Sequence, residues 1–335
     1  MGKRDSARSF LGLGLKWWLI IGAGLAILLP YIIPMFYLHV VVEGICMALL
    51  ALSFNLLFGY MGQLSFGQAA FYGVGGYTVA MLLTRTQTPF LLTLVAGVLL
   101  AGIMGLIVGY FCVRLRGIYF SILTLAFGQL MFVIIYEWYG FTGGDDGIQN
   151  IFPPAVLKSP ISYYYFVLIV LIAASFFMLK MVNSPFGYVM KAMRENTERT
   201  EFIGINIRRY QLIAFVIAAS FSGLAGALWA PFNRSVSPFM LTWIASGEPV
   251  MATILGGAYV FLGPVVGTFI YILLHSFILG FTYYWAIIIG IIILGVVLFL
   301  PGGILGFIQE KVQARRAKGT AAADSDKELV RDESS

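Results

Sequence analysis

The stretch Gly62-Gln63-Leu64-Ser65-Phe66-Gly67-Gln68 sets two amides and a hydroxyl among glycines inside an otherwise apolar region. Its G-x-x-x-x-G spacing opens like a phosphate loop. Such a loop continues with Lys and then Ser or Thr, to meet phosphate and magnesium, whereas Gln68 and Ala69 stand there. This stretch is therefore not an ATP site. Non-helical backbone is tolerated at membrane depth where protein buries it or where it lines a watery cavity. Gln63, Ser65 and Gln68 are candidates for a translocation pathway, with bonding to neighbouring helices as the even alternative. Asn55 and Gln129 carry the same two readings. Other reactive side chains are sparse. Cys46 and Cys112 lie in apolar runs, where a thiol behaves as a small hydrophobe, so neither a disulfide framework nor a metal site is expected. Only two histidines occur, His39 and His275, and His275 reads as hydrogen-bonded to a neighbouring helix rather than as a proton relay. With no nucleophile, base or metal cluster assembled at depth, neither enzyme chemistry nor a cofactor is expected in this chain.

What must position these residues follows from composition. Of 335 residues, 60% are hydrophobic and 11% charged, which points to lipid as the main solvent. At about 20 residues per crossing, apolar stretches fall near 17–38, 44–60, 62–84, 90–113, 117–137, 161–180, 210–232, 249–262, 264–281 and 284–301. The second and third, and the eighth and ninth, are glycine-rich and nearly continuous, so broken or re-entrant helices are expected there. The expected organisation is a basic amino-terminal stub (1–16), a membrane domain (17–308) and a polar tail (309–335). The opening looks like a secretory signal, but apolar character continues to Leu38 without a cleavage pattern, which reads as an uncleaved first span. Starting inside, ten crossings place all 21 Lys and Arg on the inner side except Arg85, Lys158 and Arg234, as the positive-inside rule demands. Both termini are then cytoplasmic. Glu43, Glu137, Asp145, Asp146 and Glu248 fall outside, and the spans carry no carboxylate away from their ends. A carrier that couples to protons keeps such groups at depth, so the driving force is expected from elsewhere. The pairs Gly105/Gly109 and Gly263/Gly267 form G-x-x-x-G spacings, read as close helix packing.

The one sizeable polar stretch between spans, 183–209, reads as a short helix. Ser184 is placed to cap it, Pro185 suits its first turn and Gly204 stops it. Phe186, Val189, Met190 and Met193 form an apolar stripe, fit either for a groove on a partner protein or for the bilayer surface.

These residues resemble the permease subunits of ATP-binding-cassette importers for branched-chain amino acids. The resemblance is carried by Gly59-Tyr60-Met61-Gly62-Gln63-Leu64-Ser65-Phe66-Gly67, by Leu115–Phe120 running into Leu123–Gln129, by Thr142-Gly143-Gly144 with Gly147-Ile148, by Ser184-Pro185-Phe186-Gly187, Arg194-Glu195-Asn196, Gly204-Ile205-Asn206 and by Gly223–Leu228, in order over most of 40–305. In that family an E-A-A-x-x-x-G loop docks on the ATPase. Here Glu198 and Gly204 keep the interval while Arg199 and Thr200 replace both alanines. A G-G-x-G-T pattern is likewise altered at Gly256–Val260. The resemblance implies an all-α fold of about ten transmembrane helices, like a type II importer with pseudo-symmetric halves. It implies that Ser184, Pro185, Phe186, Gly187, Met190, Arg194, Glu195, Glu198 and Gly204 couple to the ATPase. It also implies two ATPase subunits that bind the ATP, a second related permease, a solute-binding protein on the outer face, and an inner (plasma) membrane location. Leucine, isoleucine and valine are the implied solutes, with urea or short amides as the alternative. A secondary transporter working alone is the more distant one. The external stretch Thr142–Asn150 is either a simple turn or a receiving surface for the binding protein.

Overall fold

The computed structural model describes residues 28–311 apart from 32, 87, 283, 301 and 310, so the amino-terminal stub, most of the expected first span and most of the tail lie outside the described residues. Eleven helices carry the fold here: α1 (Met35–Asn55), α2 (Gln68–Arg85), α3 (Phe90–Cys112), α4 (Ile118–Glu137), α5 (Pro160–Val182), α6 (Pro185–Glu195), α7 (Thr197–Phe202), α8 (Ile207–Asn233), α9 (Trp243–Gly256), α10 (Gly263–Leu279) and α11 (Trp285–Phe299). A π-helical turn at Leu56–Tyr60 prolongs α1. Among the described residues six helical stretches are long and apolar enough to cross a membrane: Met35–Tyr60, Phe90–Cys112, Ile118–Glu137, Pro160–Val182, Ile207–Asn233 and Trp285–Gln309. The other expected crossings fall on α2, α9 and α10, of 18, 14 and 17 residues.

Three boundaries differ from the sequence expectation. The loop placed near 39–43 is instead part of α1, because nothing between Met35 and Asn55 breaks the backbone ladder and a single carboxylate does not end a helix. The third span begins at Gln68 rather than 62, after a non-helical segment. The eighth begins at Trp243, six residues early, and ends at Gly256, where Gly257 takes φ +111 and turns the chain. The interruptions anticipated from the glycine-rich pairs thus exist, ahead of α2 and between α9 and α10, and a further non-helical stretch outside that expectation precedes α9.

Proline sets several helix starts, at Pro160 of α5, Pro185 of α6 and Pro264 of α10, where its missing N–H has no intrahelical partner to lose. The centre is a close stack of α8 on α2 and α3. A Cβ on Gly226 would strike the Tyr72 carbonyl, and one on Gly75 the Gly223 carbonyl. Gly105 and Gly109 face Ala219 and Phe215 of α8, while Gly263 and Gly267 press α10 onto the Gly257 and Ala252 carbonyls. Both G-x-x-x-G pairs therefore act in packing, where small residues let backbones approach and dispersion supplies the attraction. Buried hydroxyls add cross-links: Ser53 and Ser222 share a hydrogen bond of 2.7 Å, Ser222 donates to Gln68 Oε1 at 2.6 Å, and Tyr163 donates to the Leu228 carbonyl at 2.6 Å. The outer helix faces carry exposed leucine, isoleucine and phenylalanine, such as Leu91, Ile107, Phe176 and Ile291, which suits lipid rather than water. The strand content among the described residues is one two-residue antiparallel ladder, Ile148 against Val236 and Gln149 against Ser235. It ties the 142–150 stretch to the segment leading into α9.

Candidate functional site

The two interrupted helices meet. Between the π turn and α2, Gly62 adopts φ +76 and the amides of Gly62 and Gln63 fold back onto the Phe58 and Leu57 carbonyls, at 3.1 and 2.9 Å. Only a residue without a Cβ takes that backbone freely. The chain then runs without helix beside α4, which supplies what a helix would otherwise provide: Ser121 donates to the Leu64 carbonyl at 2.6 Å and the Phe66 amide donates to Thr124 Oγ1 at 3.2 Å. Irregular backbone is thus satisfied by protein, as lipid-depth structure requires. At the start of α2 the Ala69 amide donates to Ser246 Oγ of α9 at 3.2 Å, so the first turns of two broken helices are joined side by side.

The pathway candidates divide by their partners. Ser65 is fully buried and accepts from the Gly67 amide at 3.4 Å, a local bond, and Gln68 spends its carbonyl oxygen on Ser222. Gln68 Nε2, Gln63 Oε1, Gln129 Oε1 and both amide atoms of Asn55 have no hydrogen-bond partner among the described residues. Thr253 Oγ1 of α9 and the Tyr77 hydroxyl of α2 join them. Each such group left dry costs about 1–3 kcal/mol, so water or a passing polar solute is the natural partner. Asn55 also faces Gly59, whose missing side chain makes room for it and for the Ala258 carbonyl.

The polar stretch between α5 and α8 folds as α6 and α7. Pro185 occupies the first turn as expected. Ser184 does not cap: its hydroxyl donates backwards to the Met181 carbonyl at 2.6 Å, because α5 ends immediately before it and offers the nearer acceptor. The apolar stripe goes neither to a partner groove nor to the bilayer surface. Met190 and Met193 are buried in the chain's own core, and Phe186 stacks on Tyr210 of α8 at 5.5 Å. Gly187 is pressed against the Val182 carbonyl. Arg194 reaches the Gly59 carbonyl through Nη1 and lies 4.9 Å from the Tyr259 ring centre. One side chain of α6 therefore touches both the end of α1 and the turn joining α9 to α10.

Asn206 caps α8 and Asn196 caps α7, each accepting from the amide three residues on, Arg209 at 3.2 Å and Arg199 at 2.9 Å. Gly204, at φ +87, ends the stretch in the left-handed conformation anticipated for a stop. The exposed surface of this stretch carries Glu195, Glu198, Arg199, Phe202 and Ile203. Phe202 and Ile203 are 89% and 73% exposed. They had no place in the sequence reading, although they fill the variable positions between Glu198 and Gly204. Arg116 and Glu201 form the one ion pair among the described residues, at 3.1 Å. Both partners are exposed, and such pairs contribute about 0–1 kcal/mol. Glu201→Gln should therefore leave the thermal unfolding of the purified chain nearly unmoved, and a drop of many degrees would mean that the pair anchors α7.

Two carboxylates expected in external loops lie on membrane helices instead, Glu43 within α1 and Glu248 within α9. They line one cavity together with Tyr72 of α2. A spacing argument could not find them, since a single acid next to a hydropathy gap reads as a loop residue. Among the described residues no group of three His, Cys, Asp or Glu is placed to hold a metal.

Residues 36–297 match the protein family described as the branched-chain amino acid transport system permease component. The high-affinity branched-chain amino acid transport system permease protein LivM of Escherichia coli strain K12 is 25% identical over 336 aligned residues, 92% of this chain and 79% of that protein. A probable LivM permease of Methanocaldococcus jannaschii is 23% identical over 265, covering 67% and 76%. The LivH permease of Salmonella typhimurium is 24% identical over 286, covering 78% and 92%. No solved structure matches the chain.

Proposed function

The chain belongs to the family of branched-chain amino acid transport system permease components, and on that premise we propose that it is one membrane subunit of an ATP-driven importer that carries branched-chain, apolar amino acids inward by alternating access. Its partners in this reading are two ATP-hydrolysing subunits, a second related permease that completes the pseudo-symmetric pathway, and a soluble binding protein that delivers solute to the outer face. The assembly sits in the inner membrane with both ends of this chain in the cytoplasm, and the chain performs no catalysis itself.

The observation that carries the reading is the placement of α6. Its Arg194 links the end of α1 to the turn after α9, while α7 beside it presents Glu198, Phe202 and Ile203 outward. A pull on α7 by a closing ATPase pair reaches the ends of two interrupted helices through packed side chains rather than through a flexible loop. Broken helices are the elements that move in such folds, since their non-helical stretches absorb the change in backbone angle. The non-helical stretches ahead of α2 and ahead of α9 support the pseudo-symmetric arrangement.

The test is uptake of radiolabelled leucine by vesicles holding the permease pair with its ATPases. Accumulation should require internal ATP and the loaded binding protein together. If vesicles holding this chain alone concentrated leucine, the chain would be a secondary transporter and the importer reading would fall.

A further inference from the structure

The cavity between α1, α2 and α9 has a volume of about 140 Å³. Its wall includes Glu43, Tyr72 and Glu248, the apolar side chains of Met47 and Trp229, and Ala69 at the start of α2. Three features set it apart from the other clefts of the molecule. Two carboxylates from different helices converge on one space inside a bundle whose other charges stand at helix ends and in the connecting segments, and an ionisable residue at membrane depth is expensive to place there without use. Tyr72 is only 7% exposed and lines the cavity, yet its hydroxyl makes no hydrogen bond to any described residue. And the first turns of both broken helices border the same space, joined by the Ala69 to Ser246 bond.

We propose that this cavity holds the ammonium group of the passing amino acid, with the Glu43 and Glu248 carboxylates and the Tyr72 hydroxyl oxygen as its acceptors. The proposal rests on the importer reading above and names the site of that transport. An ammonium offers three donors, and two carboxylates with a phenol oxygen from three helices match that number. A divalent metal fits worse, since it asks for about six oxygens and the remaining wall is largely sulfur, aromatic and aliphatic. That wall suits what sits beside the ammonium in an apolar amino acid, its hydrocarbon side chain, and the Trp229 and Tyr72 rings also attract a cation. The first turns of α2 and α9 border the same cavity through Ala69 and Ala245, so the positive ends of both helices stand within reach of the zwitterion's carboxylate, which they favour. The site would thus read the head group common to these solutes and leave the side chain to shape and apolarity.

The experiment uses the complete importer in vesicles with leucine as the probe, comparing wild type with Glu43→Gln, Glu248→Gln, Tyr72→Phe and the conservative Glu43→Asp and Glu248→Asp. Co-purification of the ATPase subunits reports assembly. Charged hydrogen bonds of this kind contribute enough to make each glutamine variant slower in leucine uptake by roughly 10- to 100-fold. Assembly should be retained, and the aspartate variants should keep more uptake than the glutamine ones. If wild type carries leucine and both glutamine variants carry it at the wild-type rate, the subsite is wrong while the importer reading stands. If uptake in wild type requires sodium and the glutamine variants lose that requirement, the carboxylates hold a metal cation instead and the proposal is overturned. If wild type takes up no amino acid at all, both readings fail. Should Glu43→Gln not assemble, Glu248→Gln and Tyr72→Phe decide the matter by the same criteria.

Discussion

Gly226→Leu should all but abolish the recovery of folded protein from the membrane, and Gly226→Ala should already lower its thermal stability markedly. The reason lies in what a Cβ at this position meets: the Tyr72 carbonyl carbon and oxygen and the Gly76 amide, all backbone of α2. A flexible side chain can rotate away, but a helix backbone can yield only by moving the helix. Here α2 is also held by other elements, through Gly97 of α3 against the Gly75 carbonyl, Leu241 against Gly73 and the bond from Ala69 to Ser246, so it has nowhere to retreat without disturbing a second contact. Overpacking of a rigid interior costs about 1–3 kcal/mol and more where backbone must shift, and in lipid no hydrophobic gain compensates for helices held apart. Gly290 of α11 is the control, since a Cβ there meets nothing within 4 Å and Gly290→Ala should be silent. The measurement is the monodisperse fraction in detergent and its unfolding temperature. A Gly226→Leu protein of wild-type yield and stability would show that the α2–α8 contact is not the fold's tight centre.

Phe202→Asp combined with Ile203→Asp should leave the chain folded and yet cut ATP-driven uptake by roughly 30-fold or more, the loss that removal of an interface anchor worth about 2 kcal/mol produces. Both side chains stand almost wholly outside the packed body of the chain, so the folded subunit loses little when they become polar. Large apolar groups held out on a short, capped helix are costly unless something covers them. The cap at Asn196 and the left-handed stop at Gly204 fix where they point. The double variant should co-purify with much less ATPase subunit while its own unfolding temperature stays near wild type. Full retention of the ATPases and of leucine uptake would remove α7 from the docking surface, and the role would pass to the exposed face of α6.

Some features of this segment are readable from neighbouring residues alone. Pro185 at a first turn and Gly204 at a stop follow from backbone chemistry that acts within three or four residues. The stripe Phe186, Val189, Met190, Met193 is also plain from its spacing, but its destination is not. Periodicity says that one face must be covered and is silent on what covers it, and here the cover is α8 and the end of α1 in the same chain. Ser184 shows the reverse: the right residue stands at the right place, yet its hydroxyl turns to Met181 because a helix ends there. Glu43 was misplaced for a similar reason. Hydropathy marks a loop where apolar character dips, whereas the backbone between Met35 and Asn55 keeps its ladder and carries the acid into the membrane domain.

The residue order by itself determined that lipid is the main solvent, that helices are the elements, that glycine-rich stretches interrupt some of them, and that the 62–68 stretch is not an ATP site. These follow from transfer free energy, backbone saturation and missing side chains, all local quantities. Which polar groups face a shared cavity was decided only by the tertiary structure. In lipid the inside and outside of a bundle are equally apolar, so no periodic signal separates them. Glu43, Tyr72 and Glu248 are brought together because Ser121, Thr124 and Ser246 hold the broken backbone of distant segments in place, and bonds over such separations leave no trace in local spacing.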